Sequence, residues 1–75
     1  MKELLEFIAK SLVDHPEDVS VTESQSASSL VLELHVNESD MGKVIGKQGR
    51  IAKSIRAVVQ AAASRENKKV IVEIV

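Results

Sequence analysis

The amino-acid sequence predicts an α+β fold in the order α-β-β-α-α-β, a three-stranded mixed sheet with three helices on one face. Three observations carry this. Residues 30–36 and 70–75 alternate their side chains with the period of two expected of a strand with one buried face. Residues 2–14 and 50–66 repeat apolar side chains at helical spacing. The long segment between the last two strands leaves room for the crossover that parallel pairing needs. At 75 residues the chain has material for one domain, residues 1–75, and not for two.

The first helix draws on Leu4, Leu5, Phe7, Ile8, Leu12 and Val13, and Pro16 should stop it by disfavouring helical angles at His15. Val19 and Val21 share one face of a short strand over residues 18–23. Residues 24–29, SQSASS, form a polar loop. In the next strand Leu30, Leu32, Leu34 and Val36 point one way, and Val31, Glu33 and His35 the other. Asn37 and Ser39 are candidate caps for a short helix over residues 40–45. Gly46 and Gly49 bracket a turn. A longer helix follows from Arg50 to about Glu66, with Ile51, Ile55, Val58, Val59 and Ala62 on one face. Asn67-Lys68-Lys69 breaks it, and the last strand sets Val70, Val72 and Ile74 against Ile71, Glu73 and Val75. The first two strands can pair antiparallel through their loop. The last two can pair parallel through a right-handed crossover. Glu33, His35 and Glu73 then meet solvent.

The net charge of -1 argues against a polyanion partner, but the distribution of charge points the other way. Residues 1–40 set Lys2 and Lys10 against nine acids, whereas residues 41–69 set eight basic residues against Glu66 alone. One surface can therefore attract phosphate while the rest keeps the protein in solution. The bland reading is chance clustering on a solvated helix. There is no cysteine, so disulfides and thiolate metal sites are excluded. No apolar run approaches the roughly 20 residues that span a bilayer. The N-terminus MKELLEFIAK carries acids among its apolar residues, unlike a signal peptide. A cytoplasmic protein is the simplest expectation.

The informative segment is VIGKQGRIAKSIR, residues 44–56. Two glycines three apart, between two helices, can adopt backbone angles closed to other residues and permit close approach. The second opens a helix whose first amides lack partners, and a phosphate can use those amides together with the positive end of the helix dipole. Lys47 sits at the loop tip, Lys43 precedes it, and Arg50 and Lys53 lie one turn apart beyond it. A tight helix–helix turn without a ligand is the plainer alternative. For Ile45, Ile51 and Ile55 the plainer role is core packing.

Ile45-Gly46-Lys47-Gln48-Gly49-Arg50-Ile51, followed by Ile55, resembles the helix–GXXG–helix signature of KH domains. The element order is similar to the prokaryotic, type II arrangement. The likeness covers the whole chain and is strongest to the KhpA type, small bacterial proteins of one KH domain. It implies a loop that clamps the backbone of about four single-stranded nucleotides, with bases in an apolar groove beside it. By position, Gly46, Lys47, Gln48 and Gly49 hold phosphates. Val44, Ile45 and Ile51 are candidates for the groove floor, and Lys43, Arg50 and Lys53 for its electropositive rim. Loop 24–29 corresponds to the family's variable loop and contains no basic residue. The resemblance also implies a homodimer, or a larger KH-containing partner of the KhpB type. Ala57, Ala61, Ala62 and Ala63 form a small-residue patch that would allow close helix approach.

Rival chemistries fit poorly. GKVIGK, residues 42–47, has three residues between its glycines where a P-loop needs four, and Gln48 stands where Ser or Thr is required. A helix-turn-helix reader sits most often in all-helical surroundings. His15 and His35 have no second histidine at metal-ligand spacing, and the serines of SQSASS have no evident base. No cofactor or metal is expected. Phe7 is the only aromatic residue, so the base stacking used by RRM and OB modules has nothing to work with. The expected function is a non-enzymatic single-stranded RNA binder, a bacterial post-transcriptional regulator or RNA chaperone. The rival is a protein-interaction or dimerisation module with vestigial RNA binding.

Overall fold

The computed structural model covers residues 1–75 and has six regular elements: α1 (Lys2–Leu12), β1 (Ser20–Gln25), β2 (Leu30–His35), α2 (Met41–Ile45), α3 (Arg50–Ser64) and β3 (Val70–Ile74). The sheet order is β1-β2-β3, antiparallel between the first pair and parallel between the second. Val21 lies opposite Leu34, and Leu32 opposite Val72, so these apolar residues share one face of the sheet. That face meets Leu5 and Ala9 of α1, Val44 of α2, and Ile55, Val59 and Ala63 of α3 in one core. The other face carries Glu33, His35, Ile71 and Glu73. The α-β-β-α-α-β order and the mixed sheet are those the sequence predicts.

Several boundaries move for local reasons. Leu12 ends α1 because Val13 is already extended, and His15 before Pro16 has φ -120° and ψ 70°. Pro16–Asp18 then form a 3-10 turn, which delays β1 to Ser20. β1 runs on to Gln25 opposite Leu30, which shortens the polar loop to residues 26–29. Asn37 does cap: its side chain accepts the Ser39 N–H at the 3-10 turn Glu38–Asp40 that leads into α2. Ser39 instead donates its hydroxyl to Asn37. α3 closes in a Schellman arrangement. Asn67 turns left-handed at φ 56°, and its N–H and that of Lys68 donate back to Ser64 and Ala63.

Three apolar residues expected on inward faces are exposed, Phe7, Val58 and, to a lesser degree, Leu12 at 37%. Phe7 is 71% exposed, because it lies two residues from the buried Leu5, about 200° round the helix. Val58 is 51% exposed, about 100° from the buried Val59. Ala52 and Ala63 take the inward positions on α3 instead.

Candidate functional site

The segment between α2 and α3 turns through three residues with positive φ. Gly46 has φ 75° and ψ 172°, Gln48 φ 58° and Gly49 φ 72°. The Gly49 N–H donates to the Gly46 carbonyl at 3.1 Å and closes the turn. Gly46 lies flat on Ile51, whose side chain a Cβ there would meet at 2.6 Å. Gly49 faces open space. Its role is conformational, to start α3 in the left-handed region without a clash. No side chain caps α3; the Arg50 N–H donates to the Lys47 carbonyl within the turn, and the positive end of the helix dipole points at the loop.

Around this opening Lys47, Gln48, Arg50 and Lys53 are all exposed. Arg50 donates to the Gln48 side-chain oxygen at 3.2 Å, which draws the guanidinium over the loop. Ile45, 38% exposed, offers an apolar surface beside it. Ile51 is half-buried beneath Gly46 and also lines a groove of about 390 Å³ between α1 and α3, with Ile8, Leu12 and Val58.

Two sequence-based assignments need correction. Val44 cannot form the surface of a groove floor. It is fully buried in the core, because α2 is only five residues long and anchors itself through this side chain, with Met41 partly buried against the same core. Lys43 is not a free rim cation. Its ammonium bonds the Asp14 carboxylate and lies 3.7 Å from Asp40. The hydrogen bond to Asp14, with the charges of Asp14 and Asp40, holds that ammonium above its ordinary pKa of 10.5 despite partial burial.

Asp40 has a role that the sequence does not reveal. It is 1% exposed and accepts the backbone N–H groups of Asp14 at 3.2 Å and His15 at 3.0 Å. Burial pushes its carboxyl up. The two N–H donors, with the charges at His15 and Lys43, pull it further down, to below its ordinary 3.8. It thereby ties the end of α1 to the start of α2, directly ahead of the loop. No local pattern distinguishes this acid from its exposed neighbours. Arg56 is a further residue that sequence reasoning missed, although its spacing of three from Lys53 is a usable signal. It donates to the Val72 carbonyl on the free edge of β3. His15, Glu17 and Asp18 gather ligand atoms within 4.8 Å of one another. The cluster is largely exposed, and Asp18 is already engaged by the Asn37 amide. No helix is long and apolar enough to cross a membrane.

The family model described as KhpA/KhpB, KH domain, matches residues 2–74. The chain is 69% identical over 75 residues to the RNA-binding protein KhpA of Clostridium perfringens, covering all of both chains. It is 53% identical to that of Listeria monocytogenes, covering all of this chain and 99% of the relative. Among solved structures it is similar to Era of Aquifex aeolicus, with TM-score 0.70 and 21% identity. That match covers 97% of this chain and 28% of Era, and the likeness is one of fold.

Proposed function

The chain belongs to the KhpA/KhpB family of KH domains, and from that premise we propose that this RNA-binding protein clamps short single-stranded RNA at Gly46-Lys47-Gln48-Gly49. The observation that carries the reading is the uncapped N-terminus of α3, opened by Gly49 and ringed by the unpaired cations Lys47, Arg50 and Lys53. The positive end of the α3 dipole receives one phosphate, and the three side chains neutralise its neighbours. Ile45 and Ile51 supply apolar contact for bases. The protein catalyses nothing, fills residues 1–75 with one KH domain and works in the bacterial cytoplasm. Its role is that of a post-transcriptional regulator or RNA chaperone.

One site of this size binds weakly, and a second site in the same particle raises affinity without new contacts. We therefore propose that the chain pairs with a second copy or with a larger KH-containing partner of the KhpB type. The apolar groove between α1 and α3, continued by the exposed Val58 and Ala61, is the surface suited to this. Ala63 is fully buried and takes no part. The same groove is the observation favouring the second reading, a protein-interaction module in which RNA binding is vestigial.

Replacing Lys47 and Gln48 together by Asp tests the loop. Both are exposed, so stability should change by about 0.5 kcal/mol or less. Aspartate tolerates the left-handed angles of position 48 better than glutamine does. The melting temperature and circular dichroism should match the parent. Binding of short RNA, read by fluorescence anisotropy, should vanish, because two negative charges now stand where a phosphate must sit. A variant that melts and binds like the parent would overturn the loop assignment and place the RNA site elsewhere.

A further inference from the structure

All three helices pack on one side of the sheet, so its other side is left without a covering element. The strand register arranges that open side in rows. Val31 stands beside Ile71, and Glu33 beside Glu73. Val75, whose N–H donates to the Leu34 carbonyl at 3.0 Å, continues β3 alongside His35. Ile71 and Val75 are 41% and 50% exposed. The face therefore carries an acidic row between two rows that hold exposed aliphatic side chains. None of the three strands contains a lysine or an arginine.

Glu33 and Glu73 lie side by side on strands about 4.8 Å apart. Like charges placed directly opposite one another destabilise a sheet. The ion pairs of the molecule involve neither carboxylate. A cation brought from outside would convert this repulsion into two attractions. A guanidinium suits the position best, because its planar fork offers N–H donors along more than one edge. The rows follow one another every two residues, about 6.7 Å along the strands. That is also the spacing of same-side side chains in any extended segment laid along them.

We propose that the open face of the sheet docks an extended, arginine-bearing segment of a partner protein. Its guanidinium sits between Glu33 and Glu73, with one apolar side chain over Val31 and Ile71 and another over Val75. Charge complementarity selects this occupant. RNA phosphates are repelled by the acidic row. A second copy has no cation on its own strands to offer, and its Lys47, Arg50 and Lys53 stand at the loop on the helical side. Proteins that bind the same RNA carry arginine because they too neutralise phosphate. The chain can thus hold RNA on one side and a basic protein on the other, and the docking face does not depend on where the RNA is clamped.

Backbone amide chemical shifts of the full chain, at low salt and near neutral pH, test it. The probe is the peptide acetyl-GVTRTVG-amide, and the control carries glutamate in place of its arginine. The arginine peptide should move the amides of residues 31–35 and 71–75 and leave those of residues 47–50 in place. The control should move neither set. A tetranucleotide should leave the sheet face unmoved, and its affinity should stay within about two-fold when the peptide is present. Glu33→Gln with Glu73→Gln should weaken the peptide about ten-fold. The same change relieves the repulsion and should raise the melting temperature by about 3 °C. A silent sheet face, or equal shifts with both peptides, would overturn the proposal. A lower melting temperature in the double variant would mean that the two acids serve the fold, and rejects it as well. Face shifts that grow with protein concentration alone would make the occupant a second copy, and face shifts with the tetranucleotide would make it RNA. Either of these also rejects it.

Discussion

A methyl group added at Gly46 would meet the side chain of Ile51 at 2.6 Å, whereas one added at Gly49 would meet nothing within 4 Å. Gly46 also sits at φ 75° and ψ 172°, a region open almost only to glycine, while Gly49 at φ 72° and ψ 15° is in the ordinary left-handed basin. Gly46→Ala should therefore cost about 3 kcal/mol, combining backbone strain with displacement of Ile51. Gly49→Ala should cost about 1 kcal/mol, the left-handed penalty alone. Urea unfolding of the two variants measures the difference. Equal costs would mean that Ile51 yields freely and that the turn is softer than its contacts indicate.

Between elements, the contact that positions the loop is the buried Asp40 carboxylate joining α1 to α2. Asp40→Asn replaces an accepting oxygen by an amide group that cannot accept, so one of the two N–H groups loses its partner. The melting temperature should fall at neutral pH. Because the folded-state pKa lies below the ordinary 3.8, the carboxylate contributes its stability above that value and loses it as pH falls through the folded pKa. Lys43, with its pKa raised, contributes below 10.5 and loses that contribution only as pH rises through its folded value. The parent should therefore lose stability below about pH 4, and Asp40→Asn should show a shallower acid dependence. Thermal melts from about pH 2.5 to 7 span that titration and decide this. Superimposable profiles for variant and parent would remove Asp40 from any structural role.

Across the whole molecule, the eight basic residues of positions 41–69 do not form one patch. Lys43 is tied to acids, Lys47, Arg50 and Lys53 surround the loop, and Lys68 and Lys69 stand at the other pole. Had all four cations around the loop met phosphates, log affinity against log salt would slope at about -3. With Lys43 withdrawn, a short RNA should give about -2. Titrations of a tetranucleotide across potassium chloride concentrations measure this. A slope near -3 would show that Lys43 leaves Asp14 on binding, and one near zero that the basic surface is not the binding surface.

What the sequence determined by itself was whatever repeats locally. The alternation of Leu30, Leu32 and Leu34 reads as a strand because successive strand side chains point to opposite faces. The apolar spacing in α3, the two glycines and the cations beside them are likewise contained in short stretches of chain, so the fold class and the loop were legible. Tertiary structure alone decided what those stretches meet. Phe7 and Val58 are as apolar as their buried neighbours, and only the angle at which each helix lies on the sheet turns them outward. Val44 lies within two residues of the loop and is nevertheless core, because it is the one fully buried side chain by which the five-residue α2 holds to the sheet and to α3. Asp40 reaches the backbone of residues 14 and 15, and Lys69 reaches Leu30, across separations that no local period encodes. These contacts exist because the strand register and the crossover bring distant segments side by side. The same pairing places two lysines next to a loop that carries no cation of its own.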